Sequence, residues 1–172
     1  MTFSPIRLNH AVLFVSDLER SIRFYRDTFS MEIVAKESRA NAAFLRLPRS
    51  GNHHDLGLFG VRTGVPRRRG EMGLYHLAWQ VDTVEELVEA RRDLLAASAY
   101  TGESSHGATK SLYGADPDGN EFEIMWMLPR EEWGAYENAA PVDPLDLAKE
   151  VERWSGVRTA GRLVAESMEP GS

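Results

Sequence analysis

Cysteine is absent from this 172-residue chain, which removes disulfides, thiolate metal ligands and a cysteine nucleophile together. A basic excess is missing too. Twenty Lys and Arg stand against 26 Asp and Glu, for a net charge of -6 and a pI near 5.4. No broad positive face is available to neutralise phosphates, so a nucleic-acid partner is excluded. The one basic cluster, Arg67-Arg68-Arg69 between Pro66 and Gly70, reads as a solvated loop. No apolar run approaches the roughly 20 residues that span a bilayer. The opening Met1-Thr2-Phe3-Ser4-Pro5 lacks the charged and apolar regions of a signal peptide. The expectation is a cytoplasmic protein without membrane contact. What the chain does have is 42% hydrophobic residues, enough for one well-buried globular domain.

It also has an imperfect internal duplication. Leu8-Asn9-His10-Ala11-Val12-Leu13-Phe14-Val15 precedes Ser16-Asp17-Leu18-Glu19, and Leu74-Tyr75-His76-Leu77-Ala78-Trp79-Gln80-Val81 precedes Asp82-Thr83-Val84-Glu85-Glu86. Each unit is an apolar, strand-like run carrying a histidine, followed by a capping-box spacing: Ser16 with Glu19, and Thr83 with Glu86. The histidines are 66 residues apart and these cap residues 67. A helical stretch follows each cap, with Leu18, Ile22, Phe24, Tyr25 and Phe29 on one side of the first and Leu87, Ala90, Leu94 and Leu95 on one side of the second. Short extended segments come next, at residues 32–38, 42–47 and 55–60, then at 100–104, 110–115 and 122–127. Each half reads strand, helix, strand, strand, strand, in modules of about 6–62 and 72–128 that together form a domain over 1–128. The linker at 61–72 is rich in Gly, Pro and Arg. The tail, 129–172, is punctuated by Pro141, Pro144 and Pro170; it carries a helix over 145–154 that packs on the main domain or a partner, and frays at 166–172.

Strand alternation then sorts the polar residues. His10 shares a face with Leu8, Val12 and Phe14; His76 shares one with Leu74, Ala78 and Gln80; Glu123 shares one with Glu121, Met125 and Met127. The opposite face of the last strand, Phe122, Ile124, Trp126 and Leu128, is apolar throughout and should meet a helix. An ionised glutamate among apolar neighbours on a concave face needs a metal or a cationic partner. A single histidine would be read as a core residue with a satisfied hydrogen bond; two repeat-equivalent histidines plus a same-face glutamate favour a metal site. His, His and Glu on separate strands leave one face of a divalent ion open, which suits non-haem Fe(II) oxygen chemistry.

The most distinctive segment is Leu112-Tyr113-Gly114-Ala115-Asp116-Pro117-Asp118-Gly119-Asn120-Glu121-Phe122-Glu123, with His106 seven residues before Tyr113. With the paired modules it resembles the vicinal oxygen chelate (glyoxalase/bleomycin resistance/extradiol dioxygenase) superfamily over about residues 8–127, and most resembles a single-domain, ring-cleaving extradiol dioxygenase. The resemblance implies an α+β fold of paired βαβββ modules forming a curved, half-barrel-like sheet around a metal site, with the helical tail appended. It implies His10, His76 and Glu123 as ligands of Fe(II), with Mn(II) as the alternate ion, and His106 and Tyr113 as polar residues beside them. Gly51-Asn52-His53-His54-Asp55-Leu56 resembles the segment bearing the family's catalytic histidine, which makes His54 rather than His53 the acid–base group. Ser104 departs from the family pattern and is expected in a loop.

On that resemblance the substrate is a catechol, cleaved with dioxygen to a muconic semialdehyde, without a thiol or nicotinamide cofactor. Phe14, Trp79, Met125, Trp133 and Tyr136 are candidates to contact its ring. Exposed sheet edges predict a homodimer or higher homo-oligomer. The sequence leaves open whether His10 meets His76 and Glu123 within one chain or across a dimer. The alternatives are a glyoxalase- or epimerase-type isomerase, a fosfomycin-type thiol transferase, and a metal-free drug-binding protein. The isomerases usually draw a fourth ligand from the last strand of the first half, where this chain has Gly57.

Overall fold

A computed structural model describes residues 3–5, 7–62, 70 and 72–160. The arginine cluster at 67–69, most of the expected linker and the expected frayed end at 166–172 lie outside the described residues. The chain separates into two compact units, divided at Val65–Pro66.

The first unit runs β1 (Ala11–Val15), α1 (Leu18–Phe29), β2 (Glu32–Glu37), β3 (Ala42–Arg46) and β4 (Leu56–Gly60). Its four-stranded mixed sheet has the order β1-β4-β3-β2, with β1 parallel to β4 and the other pairs antiparallel. Alternation along β1 turns Leu13 and Val15 inward, while Val12 and Phe14 stay exposed. Ile22 and Tyr25 of α1 are buried, as are Leu45 of β3 and Leu56 and Leu58 of β4.

The second unit repeats the plan with β5 (Leu77–Gln80), α2 (Val84–Ala96), β6 (Tyr100–Ser105), β7 (Thr109–Ala115) and β8 (Glu121–Met127). The strand order is β5-β8-β7-β6, again with one parallel pair, β5 with β8. Its core is Val84, Leu87 and Leu94 from α2 together with Leu112, Phe122, Ile124 and Trp126. The apolar face expected for the last strand is thus the helix-covered one. Leu95, expected on the buried side of α2, is 52% exposed because the apolar stripe of that helix runs through Val84, Leu87 and Leu94 instead. Gly114 of β7 fits closely: a Cβ there would stand 2.5 Å from the Phe122 ring and 2.9 Å from the Ala99 carbonyl oxygen. The fold is α+β, built from two βαβββ modules, each with its own open sheet.

The tail belongs to the second unit. Two short 3₁₀ turns at Arg130–Glu132 and Gly134–Asn138, absent from the sequence expectation, lead to α3 (Leu147–Trp154), which packs on α2 and sets Trp154 6.0 Å from Trp126. Asp82 anchors residues 158–160 of the tail by accepting hydrogen bonds from the Thr159 and Ala160 N–H groups and from Arg158. Burial alone would raise the Asp82 carboxyl, but these donors hold it below the usual carboxylate range. Ser104, expected both at the end of the extended segment 100–104 and in a loop, lies inside β6 and is buried, since β6 continues to Ser105 before turning.

The first helix cap also differs from expectation. Asp17, not Ser16, is the N-cap of α1, and its carboxylate accepts from the Arg20 N–H at 2.9 Å. Ser16 instead accepts from the Arg20 guanidinium. Thr83 caps α2 as expected, accepting from the Glu86 N–H, and the Glu86 carboxylate accepts from the Asp82 N–H. The true caps, Asp17 and Thr83, are 66 residues apart, the same period as His10 and His76. Asp17→Ala should therefore lower unfolding free energy by about 1 kcal/mol, and Ser16→Ala by clearly less. Denaturant titration of the two variants checks the assignment, which an equal or reversed ranking would contradict.

Candidate metal and acid–base site

Glu123 lies in β8, flanked by β5 and β7. Its register partners are Ala78 on the parallel side and Tyr113 on the antiparallel side. Directly opposed residues point to one face of a sheet, so Glu123 and Tyr113 share a face. His76, immediately before β5 and two residues from Ala78, falls on the same face. Its Nε2 stands 3.0 Å from Glu123 Oε2. Glu123 is buried and His76 half-buried, and among the described residues the His76 Nδ1 has no hydrogen-bond partner. The Tyr113 ring centroid is 5.9 Å from that of His76. One nitrogen and one carboxylate oxygen thus converge, a donor pair suited to a divalent first-row metal.

Tyr113 is tied in turn to His106, which follows the end of β6. The Tyr113 Oη is 2.6 Å from His106 Nε2, and Ser104 Oγ lies 2.9 Å from that nitrogen and 3.2 Å from the phenol oxygen. His106 is therefore half-buried and engaged at its Nε2. Ser111, two residues from Tyr113 on the same face of β7, keeps a fully buried hydroxyl that finds no hydrogen-bond partner among the described residues.

The first unit gathers the remaining histidines. His10 immediately precedes β1, and its Nδ1 donates to Asn9 Oδ1 at 3.0 Å, which leaves the lone pair on Nε2 for a ligand. Asn52 fixes this corner: its Nδ2 donates to the Asn9 carbonyl oxygen and to Asp55 Oδ1, and its Oδ1 accepts from Asn9 and Arg7. The His54 ring lies 4.5 Å from that of His10 and meets the edge of Phe44 at 5.2 Å. Phe44 contacts Phe59, which contacts Phe14, so an aromatic row crosses the open face of the sheet. His53 is exposed, with its Nδ1 3.0 Å from the His54 Nδ1. Burial lowers the His54 imidazole below its ordinary pKa, and His10 and His53 lower it further against the opposing pull of Asp55.

Of the six expected site residues, the second unit brings together His76, Glu123, Tyr113 and His106, and the first brings together His10 and His54. Among the described residues, no three His, Asp or Glu side chains are gathered closely enough to hold a metal ion by themselves. Sequence reasoning missed Asn9, Asn52 and Ser111. It met Ser104 only as a departure from pattern, and that departure was the available signal.

A family model for the glyoxalase/bleomycin resistance protein/dioxygenase superfamily matches residues 7–124, and the chain belongs to that superfamily. Over 128 residues, 73% of this chain, it is 33% identical to a biphenyl-2,3-diol 1,2-dioxygenase from Rhodococcus globerulus, of which it covers 65%. It spans 43% of the length of a catechol-2,3-dioxygenase from Bacillus subtilis, to which it is 30% identical over 127 residues. Over 138 residues, 78% of this chain, it is 26% identical to a lactoylglutathione lyase from Neisseria meningitidis and covers the whole of that protein. Among solved structures, a glyoxylase/bleomycin resistance protein/dioxygenase domain from Frankia sp. EAN1pec shares the fold, with a TM-score of 0.63 and 21% identity over 78% of this chain and all of that one.

The histidine cluster of the first unit yields a direct test. In the metal-free protein, His54 should titrate below the ordinary histidine value, and His10→Ala should bring it back up by removing both a like charge and part of the burial. NMR titration of the ring protons reads both values. An unchanged or lower His54 pKa in the variant would contradict the assigned cause.

Proposed function

We propose that the chain cleaves the ring of a catechol-type diol beside its two hydroxyls, using Fe(II) and dioxygen and giving a muconic semialdehyde-type product. The observation that carries this reading is the Tyr113–His106 hydrogen bond standing beside the His76–Glu123 donor pair. A diol that binds through its oxygens must lose protons, and an acid–base pair next to the metal ligands serves that need. His10, His76 and Glu123 are the proposed ligands, with Mn(II) as the alternate to Fe(II). His10 fits because its Nδ1 is engaged and its Nε2 free, His76 and Glu123 because their donor atoms converge. Bound there, Fe(II) would supply the redox step between diol and dioxygen that a redox-inert ion does not.

The chain's own residues would handle the protons. Tyr113 would accept one from a substrate hydroxyl, and His106 would take up the phenol's proton in exchange. His54 would serve as acid and base on the oxygen side, with burial holding its pKa below the ordinary histidine value. The aromatic row of Phe44, Phe59 and Phe14 offers a surface for a flat apolar ring.

The identity to a lactoylglutathione lyase makes a metal-dependent isomerase the second reading. Gly57 weighs against it. On β4 this residue is paired with Val12 and Phe44, and a Cβ there would meet Val12 at 3.3 Å, so the position offers neither a donor atom nor ready room for one. A thiol transferase or a metal-free drug-binding protein gives no reason for His54, His106 and Tyr113 together. The protein is also proposed to be cytoplasmic and to form a homodimer. No helix among the described residues is long and apolar enough to cross a membrane, and the edge strands β1 and β5 are bordered by exposed Leu8, Phe14, Leu74 and Tyr75.

Oxygen-electrode assays over a panel of simple, carboxylated and bicyclic catechols test the reaction. Protein loaded with reduced Fe(II) should consume oxygen one-to-one with substrate and form a yellow ring-opened product, whereas Zn(II)-loaded protein should be inactive. Turnover supported by zinc without oxygen uptake would establish the isomerase reading instead. Within the dioxygenase reading, His54→Ala should slow turnover about a hundredfold or more while leaving the metal bound, and His53→Ala should do far less. A reversed order would move the acid–base role to His53.

A further inference from the structure

Hydrogen-bond bookkeeping around His106 yields more than its proximity to Tyr113. The His106 Nδ1 lies 2.8 Å from the carbonyl oxygen of Pro141. A carbonyl only accepts, so Nδ1 carries a proton, and in the neutral ring Nε2 is left with the lone pair. Two hydroxyls compete for it: Tyr113 at 2.6 Å and Ser104 at 2.9 Å. One lone pair takes one strong donor, and the shorter contact assigns it to Tyr113. Ser104 is then free to donate to the phenol oxygen at 3.2 Å. One assignment satisfies every atom: Ser104 donates to Tyr113, Tyr113 to His106, and His106 to Pro141.

The Pro141 carbonyl comes from the tail, and the tail is fastened at this spot. Asp143 exchanges two backbone hydrogen bonds with Ser105, both 2.9 Å. Tyr136 packs on Gly107, where φ is +75° and a Cβ would come within 2.3 Å of the Tyr136 ring. Lys110, itself buried, holds both Ser105 Oγ and Glu150 of α3 at 2.9 Å. The loop bearing His106 is thus held from three directions.

We infer that Ser104 and the Pro141 carbonyl are positioning groups that fix His106 in its Nδ1–H tautomer and set the Tyr113 hydroxyl as donor to it. The functional consequence rests on the proposed diol reaction. With its proton committed to His106 and one lone pair engaged by Ser104, the Tyr113 oxygen keeps a lone pair for a substrate hydroxyl. When that hydroxyl gives its proton to Tyr113, Tyr113 passes its own to His106 Nε2. The products are a substrate oxyanion, a neutral tyrosine and an imidazolium whose Nδ1–H stays on Pro141. No electrons change hands. The tail thereby takes part in the orientation of the acid–base pair.

Long-range ¹⁵N–¹H correlation spectra of the full chain, uniformly labelled, read the tautomer without any turnover. His106 should show a protonated Nδ1 and an unprotonated Nε2, and should keep that tautomer in Tyr113→Phe, because the carbonyl selects it. An Nε2–H ring in the wild-type protein, or a switch to Nε2–H in Tyr113→Phe, would overturn the role of Pro141. For Ser104, the readout is kinetic. Ser104→Ala should lower kcat about tenfold with little change in KM, the size expected for one lost hydrogen bond, and Ser104→Thr should restore most of it. Unchanged kcat in Ser104→Ala would remove Ser104 from the relay. A wrong tautomer in a protein that still cleaves catechols defeats this inference alone; the right tautomer in a protein that cleaves none defeats the proposed reaction alone.

Discussion

A buried carboxylate in an interior strand is the constraint on which the second unit turns. Glu123 has a strand on either side and an apolar, helix-covered layer behind it, and an ionised group in that setting costs several kcal/mol unless something positive or hydrogen-bonding meets it. His76 is what meets it. The pairing of β5, β8 and β7 fixes which residues can stand beside Glu123, and a one-residue slip would turn Tyr113 away and bring in an apolar neighbour. Close packing of Gly114 on Phe122 acts against such a slip, because any side chain at that position would collide with the ring behind the sheet.

Duplication explains why the two units carry related chemistry with different neighbours. His10 and His76 occupy equivalent places just ahead of the first strand of each module, and the equivalent helices start from caps with the same spacing. The modules diverge after that. In the first, the position equivalent to Glu123 is Gly57, and the open face is built of phenylalanine and histidine rings. In the second, the open face carries the carboxylate, the phenol and buried serines. One module thus presents a face of aromatic rings and the other a face of polar donors.

Much of this was legible in the residues. Alternation along β1 and β8 showed which side chains share a face, because the period of two leaves little freedom once one face is apolar. The Asp116-Pro117-Asp118-Gly119-Asn120 turn placed Tyr113 and Glu123 on consecutive strands. The cap of α1 was misread by one residue because Ser16 and Asp17 are both good caps, and only the backbone geometry at Asp17 separates them. Ser104 reads both as the last residue of an extended segment and as a loop residue, because a serine pair before His106-Gly107 looks like a turn; pairing with Ser111 keeps it within the strand. The tail's contribution could not be read at all: the group that meets His106 is a backbone carbonyl, and a carbonyl has no residue signature.

The central proposal is that His10, His76 and Glu123 are ligands of one metal ion. Anomalous diffraction at the iron edge, from crystals of the full chain grown anaerobically with Fe(II), tests it most directly. One strong peak per chain should appear about 2.0–2.2 Å from a histidine nitrogen of His76, a carboxylate oxygen of Glu123 and the Nε2 of a His10. A peak bonded elsewhere, or none beside Glu123 at full iron loading, would contradict the claim.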